Sequence, residues 1–266
     1  MRRKRKRQQG IQSIEVGGRL LAALAGASRP QMLRDLAQEA GMPAAKAHRY
    51  LVSFGRMGLV DQHPETGFYD LGSFALQLGL SALARLDPVT VAGSALPELS
   101  RETGQTVALA VWANRGPTFV RWLGTDTPVA ASLRLGSVMP LTRSATGRAF
   151  LAFLPRAMTA AAVRKEVAEN LRNGLAPSTQ DAIEAIIEQT RRQGFAHTSD
   201  FIPGIAGMAA PVFQHAGEMV LALVALGYSK PFEAAFTSIS TAVMRMAAAL
   251  SDRLGAKEGR GNRVLG

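Results

Sequence analysis

Hydrophobic positions along this chain fall first into a helical period, then into a strand period, then into both in alternation. Val16, Leu20, Leu21 and Leu24 share one helical face after Ser13, a residue suited to cap a helix start, and Gly26 marks the stop. Leu33, Leu36, Ala37 and Ala40 repeat at i, i+3, i+4 and i+7, which predicts a second helix over Gln31–Ala40. Gly41 ends it, because glycine reaches the left-handed conformation of a helix stop without strain. Pro43 stands at or near the first position of a third helix, where its missing N–H costs nothing. That helix turns Ala44, Ala47, Leu51 and Phe54 one way, and Ala45, Lys46, Arg49 and Ser53 the other. Leu59–Gln62 and Phe68–Leu71 read as short strands around the turn His63–Gly67. An amphipathic helical pair can be part of any soluble bundle. Followed by a hairpin, it reads as a winged helix-turn-helix, whose second helix enters the DNA major groove.

Leu71 to Leu86 is apolar all round, so it needs burial over most of its circumference. A second subunit would supply this; burial against the rest of its own chain is the alternative. Asp87-Pro88 marks a boundary. Beyond it the pattern predicts a helix over Val89–Thr103, with Ala92, Ala95, Leu96 and Leu99 on one face. Strands follow at Thr106–Trp112 and Thr118–Leu123 around the turn Asn114–Pro117, and another at Val129–Leu135. Helices are expected at Ser144–Leu154, Thr159–Leu171 and Thr179–Gly194. Strands at Ala206–Phe213 and Met219–Gly227 flank the turn Gln214–Gly217, and a last helix covers Phe232–Leu254. Hairpins mixed with helices imply an α+β domain with an antiparallel sheet.

The 266 residues allow one or two domains, and two fit this pattern better. Cysteine is absent, which excludes disulfides, thiolate metal sites and cysteine nucleophiles, and fits a cytoplasmic protein. No apolar run reaches the roughly 18 residues of a membrane span, and no apolar core follows the basic start as in a secretory signal. The net charge of +11 and sequence pI of about 10.9 argue for a polyanionic partner, double-stranded DNA given the winged helix. Much of the excess lies in the run Arg2–Arg7. Such runs are commonly solvated tails, yet beside a winged helix a basic arm also reaches phosphates or a minor groove.

The stretch AGMPAAKAHRYLVSFGRMGLV (Ala40–Val60), with TGFYDLG (Thr66–Gly72) after the wing, resembles the DNA-binding half of IclR-type transcriptional regulators. RLGSVMPLTRSATGRAFLAFLP (Arg134–Pro155) is similar to that family's effector-domain signature, and PGIAGMAAPVF (Pro203–Phe213) to its second one. The matches run from about Ile11 to Leu254. The resemblance implies a GAF-like effector domain with a pocket on one side of its sheet, and a linker helix that pairs two DNA-binding domains. The expected organisation is a disordered basic arm (1–10), a winged helix-turn-helix (11–71), a linker helix (72–87), an effector domain (88–255) and a disordered tail (256–266). A homodimer, or a dimer of dimers, would read a pseudo-palindromic operator.

Candidate DNA contacts are Arg29, Ala44, Ala45, Lys46, His48, Arg49, Ser53 and Arg56. Arg49 has the chemistry for a bidentate contact to guanine O6/N7, and Lys46 for a phosphate or base contact. Similar proteins often carry small polar residues where Ala44 and Ala45 stand, so this helix has fewer hydrogen-bonding groups for direct readout. Pro140–Arg148 delivers a loop into a helix start, where unpaired N–H groups and the helix dipole favour an anion. Leu141, Thr142, Ser144, Ala145, Thr146 and Gly147 are the candidates there, although capping by Ser144 or Thr142 alone needs no ligand. A carboxylate-bearing small molecule is the natural guest. In similar proteins the loop Ala196–Gly204 faces the effector, which adds Asp200, Phe201 and Gly204. Asp200 stands where a glutamate is frequent. Trp112 and Trp122 serve as apolar pocket walls or as ordinary core.

No metal site or cofactor fingerprint is present, and neither are HExxH, GxSxG or P-loop motifs. His197, Ser199 and Asp200 lie close in sequence, but neighbours in one extended segment point apart and cannot converge as a triad. The chain is therefore read as a regulator and not an enzyme. A non-specific architectural DNA-binding protein would account for the charge but not for the pocket-bearing second domain.

Overall fold

The computed structural model describes residues 10–84, 87–125, 133–175, 179–215 and 217–256. It divides into two compact units, Met1–Leu86 and Asp87–Gly266. The Arg2–Arg7 run and the tail beyond Ala256 lie outside the described residues.

The first unit opens with α1 (Gln12–Gly26), which starts one residue before Ser13. Ile11 holds the cap position with no side-chain bond, so Ser13 sits in the first turn and does not cap. Helices α2 (Leu33–Glu39) and α3 (Ala44–Arg56) follow, joined through Gly41 at φ +63°, the left-handed residue the stop requires. Leu20 and Leu24 of α1, Leu36 of α2 and Ala47 and Leu51 of α3 form one core with Val60 and Tyr69. Burying each leucine contributes about 1.5–3 kcal/mol, and this anchors α3 by one face only. The wing is β1 (Val60–Gln62) paired antiparallel with β2 (Tyr69–Leu71). Gln31 extends it by a bridge to Tyr69, with reciprocal backbone bonds of 2.9 and 2.8 Å. The His63 ring accepts the Glu65 and Thr66 amides at its Nδ1, each at 3.3 Å, which fixes the turn. Helix α4 (Ser73–Ala84) leaves Leu76, Leu78 and Leu80 63%, 50% and 56% exposed.

The second unit begins where Asp87 caps α5 (Pro88–Gly93), accepting the Val89 amide and the Thr90 hydroxyl. These donors hold its carboxyl below the usual carboxylate range, with the Thr90 hydroxyl the largest cause. The single helix expected over Val89–Thr103 is two: α6 (Leu96–Thr103) restarts with Pro97 in its first turn. Ala92, Ala95, Leu96 and Leu99 are nonetheless all buried.

Five antiparallel strands make the sheet: β3 (Thr106–Ala113), β4 (Gly116–Leu123), β5 (Ala196–Ile202), β6 (Ile205–Phe213) and β7 (Met219–Tyr228). Their order is β4-β3-β7-β6-β5. Two expectations change here. The Ala196–Gly204 segment is mostly an edge strand and not a loop. Of the strand placed at Val129–Leu135, residues 129–132 lie outside the described residues, and 133–135 form no strand.

On β3 and β7, neighbouring residues pointing to opposite faces are equally buried: Val107 to Ala110 and Leu221 to Ala225 are all at 0% exposure. Such a sheet needs cover on both sides. One face receives α7 (Ala145–Phe153), whose Ala149 and Phe150 pack against Ala108, Ala110, Ala222 and Val224. Two helices back α7: α8 (Arg156–Arg172) and α9 (Gln180–Gln193), the latter through Ile183 and Ile187 against Leu151. Helices α5 and α6 also pack on the sheet, together with α10 (Ser229–Ala234) and α11 (Phe236–Arg253). The expected helix Phe232–Leu254 is thus broken at Ala235 (φ −104°, ψ 10°).

Candidate functional site

Two places concentrate chemistry, the outer face of α3 and the start of α7. On α3, Ala44, Ala45, Lys46, His48, Arg49, Ser53 and Arg56 are all exposed. Ala44 was expected on the packed side and instead joins the exposed one, because the helix begins at that residue. Lys46 and Arg49, three residues apart, lie on one side of the helix. Neither makes an ion pair with a described residue, so both cations are available to a polyanion. The Ser53 hydroxyl donates to the Arg49 carbonyl at 3.1 Å, which leaves it only acceptor capacity. His48 Nδ1 lies 3.5 Å from the Tyr69 hydroxyl, tying the helix to the wing. Arg29 is exposed in the loop before α2, and the Gln31 amide bonds its carbonyl at 2.8 Å.

At the start of α7, Ser144 is the cap: its Oγ accepts the Gly147 amide at 2.9 Å and donates to the Pro140 carbonyl at 2.7 Å. Its proton is therefore committed within the protein. Gly147 is needed for the same contact, since a Cβ there would stand 2.0 Å from the Pro140 oxygen. An internal carboxylate occupies the preceding amides. Glu166 of α8 accepts from the Leu141 amide (2.5 Å), the Thr142 amide (2.9 Å) and the Thr142 hydroxyl (2.6 Å). Leu141 and Thr142, expected among the ligand contacts, thus hold the loop to α8. Sequence reasoning missed Glu166, because nothing local announces a partner 24 residues away.

A pocket lies between α7 and the β5–β6 edge of the sheet, lined by Ser144, Ala145, Thr146, Thr198, Phe201 and Gly207 and by the apolar Leu133, Met139, Ile202, Ile205 and Leu226. Its cavity volume is about 20 Å³, room for one water. Thr146 and Thr198 are 1% and 8% exposed. Among the described residues neither hydroxyl has a hydrogen-bond partner, and the Ala145 and Thr146 amides have no acceptor. Ser144, Ala145, Thr146 and Phe201 are the expected residues that meet here. Thr198 was not anticipated; a polar residue at an inward strand position was its only signal.

Trp112 packs on Phe150 at 6.1 Å and Trp122 edge-on to Phe119 at 5.4 Å, both against the core. Gly204, at φ +78°, forms the β5–β6 turn. The side chain of Asp200 lies outside the described residues. His197 Nε2 is 2.9 Å from Glu233 Oε1 without hydrogen-bond alignment, and its ring packs on Phe236. Among the described residues no cluster of His, Cys, Asp or Glu is placed to hold a metal, and no helix is long and apolar enough to cross a membrane.

Comparison with known proteins adds to this geometry. Residues 13–64 match the family model of the IclR helix-turn-helix domain, and residues 80–252 that of the bacterial transcriptional regulator IclR C-terminal domain. The glycerol operon regulatory protein of Streptomyces griseus is 33% identical over 259 residues, covering 92% of this chain and 97% of that one. The transcriptional repressor IclR of Escherichia coli is 27% identical, with 80% and 84% covered. Among solved structures, Pseudomonas aeruginosa HmgR aligns with a TM-score of 0.85 at 34% identity, covering 93% of this chain and all of that one. These relatives are regulators and not enzymes. The chain belongs to the IclR family of bacterial transcriptional regulators, with a DNA-binding helix-turn-helix ahead of an antiparallel α/β domain.

Proposed function

We propose that this regulator acts in the cytoplasm, binds a pseudo-palindromic operator as a homodimer or dimer of dimers, and is modulated by a small organic carboxylic acid held beside α7. On the DNA side, Arg49 reads a base edge while Lys46, Arg56 and Arg29 meet phosphates. Ala44 and Ala45 let α3 approach the groove closely but add no hydrogen bonds. The leucines exposed on α4 favour a second copy of the chain as the cover for that helix. Two symmetry-related α3 helices would then meet two half-sites.

The observation that carries the effector reading is the pocket beside the α7 start, into whose lining Thr146 and Thr198 bring two hydroxyls among mostly apolar side chains. A ligand with acceptor oxygens would receive hydrogen bonds from these hydroxyls. The apolar remainder of the lining suits an aliphatic or aromatic body.

The experiment is a titration of the operator complex with small carboxylic acids. An effector in this pocket is expected to shift operator affinity about 5- to 150-fold, the range of coupling of roughly 1–3 kcal/mol. An operator complex indifferent to every aliphatic and aromatic monocarboxylate at millimolar concentration would contradict the effector reading and leave the DNA reading intact.

A further inference from the structure

Arg143, the residue before the α7 cap, is half-buried beside the pocket, with its guanidinium 5.7 Å from the centre of the Phe201 ring. Among the described residues it has no carboxylate partner and no hydrogen bond to the protein. Phe201 lines the pocket. Its backbone lies where the β5–β6 register is broken, since pairing jumps from Thr198–Gly207 to Ile202–Ile205. The ladder therefore does not fix the segment that carries the ring. With room for about one water, the pocket must widen to admit an organic ligand.

These features join in one mechanism, which rests on the effector reading above. We propose that Arg143 is the selectivity residue of this pocket, choosing a singly charged carboxylate whose apolar body fills the interior. Without ligand, the guanidinium stands on Phe201 and the ring keeps the pocket narrow. An entering acid displaces Phe201, and its carboxylate takes the place of the ring as the partner of Arg143. A cation–π contact is weak beside a charge-assisted bidentate hydrogen bond, so the exchange runs toward the carboxylate. The Ala145 and Thr146 amides and the Thr146 hydroxyl meet the same oxygens. Leu226, Ile205 and Met139 take the body. A neutral amide of the same shape fits the apolar part but cannot engage the guanidinium in this way.

The test uses the full chain and calorimetric titration of phenylacetate and hexanoate, each beside its neutral amide. Wild type is expected to bind at least one acid 10-fold or more tighter than its amide. In Arg143→Gln that preference falls to within about 3-fold, through loss of acid affinity at unchanged amide affinity. Arg143→Lys retains part of it. Phe201→Leu, which removes the competing ring, is expected to tighten acid binding about 3- to 10-fold; this variant keeps the test decisive if Arg143→Gln fails to fold. Undiminished preference for the acid in a folded Arg143→Gln, or weaker acid binding in Phe201→Leu, overturns the role of Arg143 while leaving the effector reading standing. Wild type that binds neither acid overturns both for this ligand class.

Discussion

Arg49→Ala is expected to weaken operator binding by about 1–3 kcal/mol per half-site, the range for a bidentate base contact, and to relax sequence preference at the contacted position. In a symmetric dimer the loss occurs twice. The stability of the protein should not change, because Arg49 is exposed and α3 is held through Ala47 and Leu51. Fluorescence anisotropy with an operator duplex and a scrambled one separates the two effects, and a thermal melt serves as control. The variant should lose affinity for the operator far more than for the scrambled duplex. Equal loss on both would make Arg49 a phosphate contact and move base reading elsewhere. The expected effect is large because this face carries few alternatives: its first two residues are alanines, and the Ser53 proton is already given to the Arg49 carbonyl.

Gly147→Ala should have the largest effect in the second unit. The added methyl would stand 2.0 Å from the Pro140 oxygen and 2.5 Å from Leu141 Cα, both backbone, so no rotamer change relieves it. Either α7 moves off the loop or the loop moves off α7. The first breaks packing against the sheet, and the second breaks the Ser144 cap and the bonds to Glu166. Overpacking of this kind costs about 3 kcal/mol, at the upper end of the usual range. For a unit of this size that lowers the melting temperature by about 6–12 °C. Calorimetry should show the loss in the transition of the second unit, and acid binding should go with it. An unchanged melting profile would mean that the α7 start is not the tight contact described.

The helix-turn-helix was legible because local chemistry dictates it. The 3.6-residue apolar repeat, a glycine at positive φ and a proline before the helix start all act within a few residues. Ser144 as a cap was legible for the same reason. The break before α6 had a visible marker in Pro97, whereas nothing in Ala235-Phe236 announces the second break. Strand β5 was hidden because Thr198 puts a polar group where the alternating pattern calls for an apolar one. That same departure marks Thr198 as a pocket residue. The Glu166 hook could not be read locally, because it joins α8 to a loop through tertiary packing. It shows why Leu141 and Thr142, expected to meet a ligand, instead meet the Glu166 carboxylate.

Operator-specific binding through α3 by a strongly basic chain is open to test by a competition between duplexes across salt. Purified protein is titrated with DNA from upstream of its own gene and with an unrelated duplex of equal length, from low to physiological salt. Specific recognition predicts a preference of about 10³-fold or more at physiological salt, with affinity for both duplexes falling steeply as salt rises. Equal affinity for the two duplexes at every salt concentration would contradict it, and the charge would then belong to a protein that coats DNA without reading it.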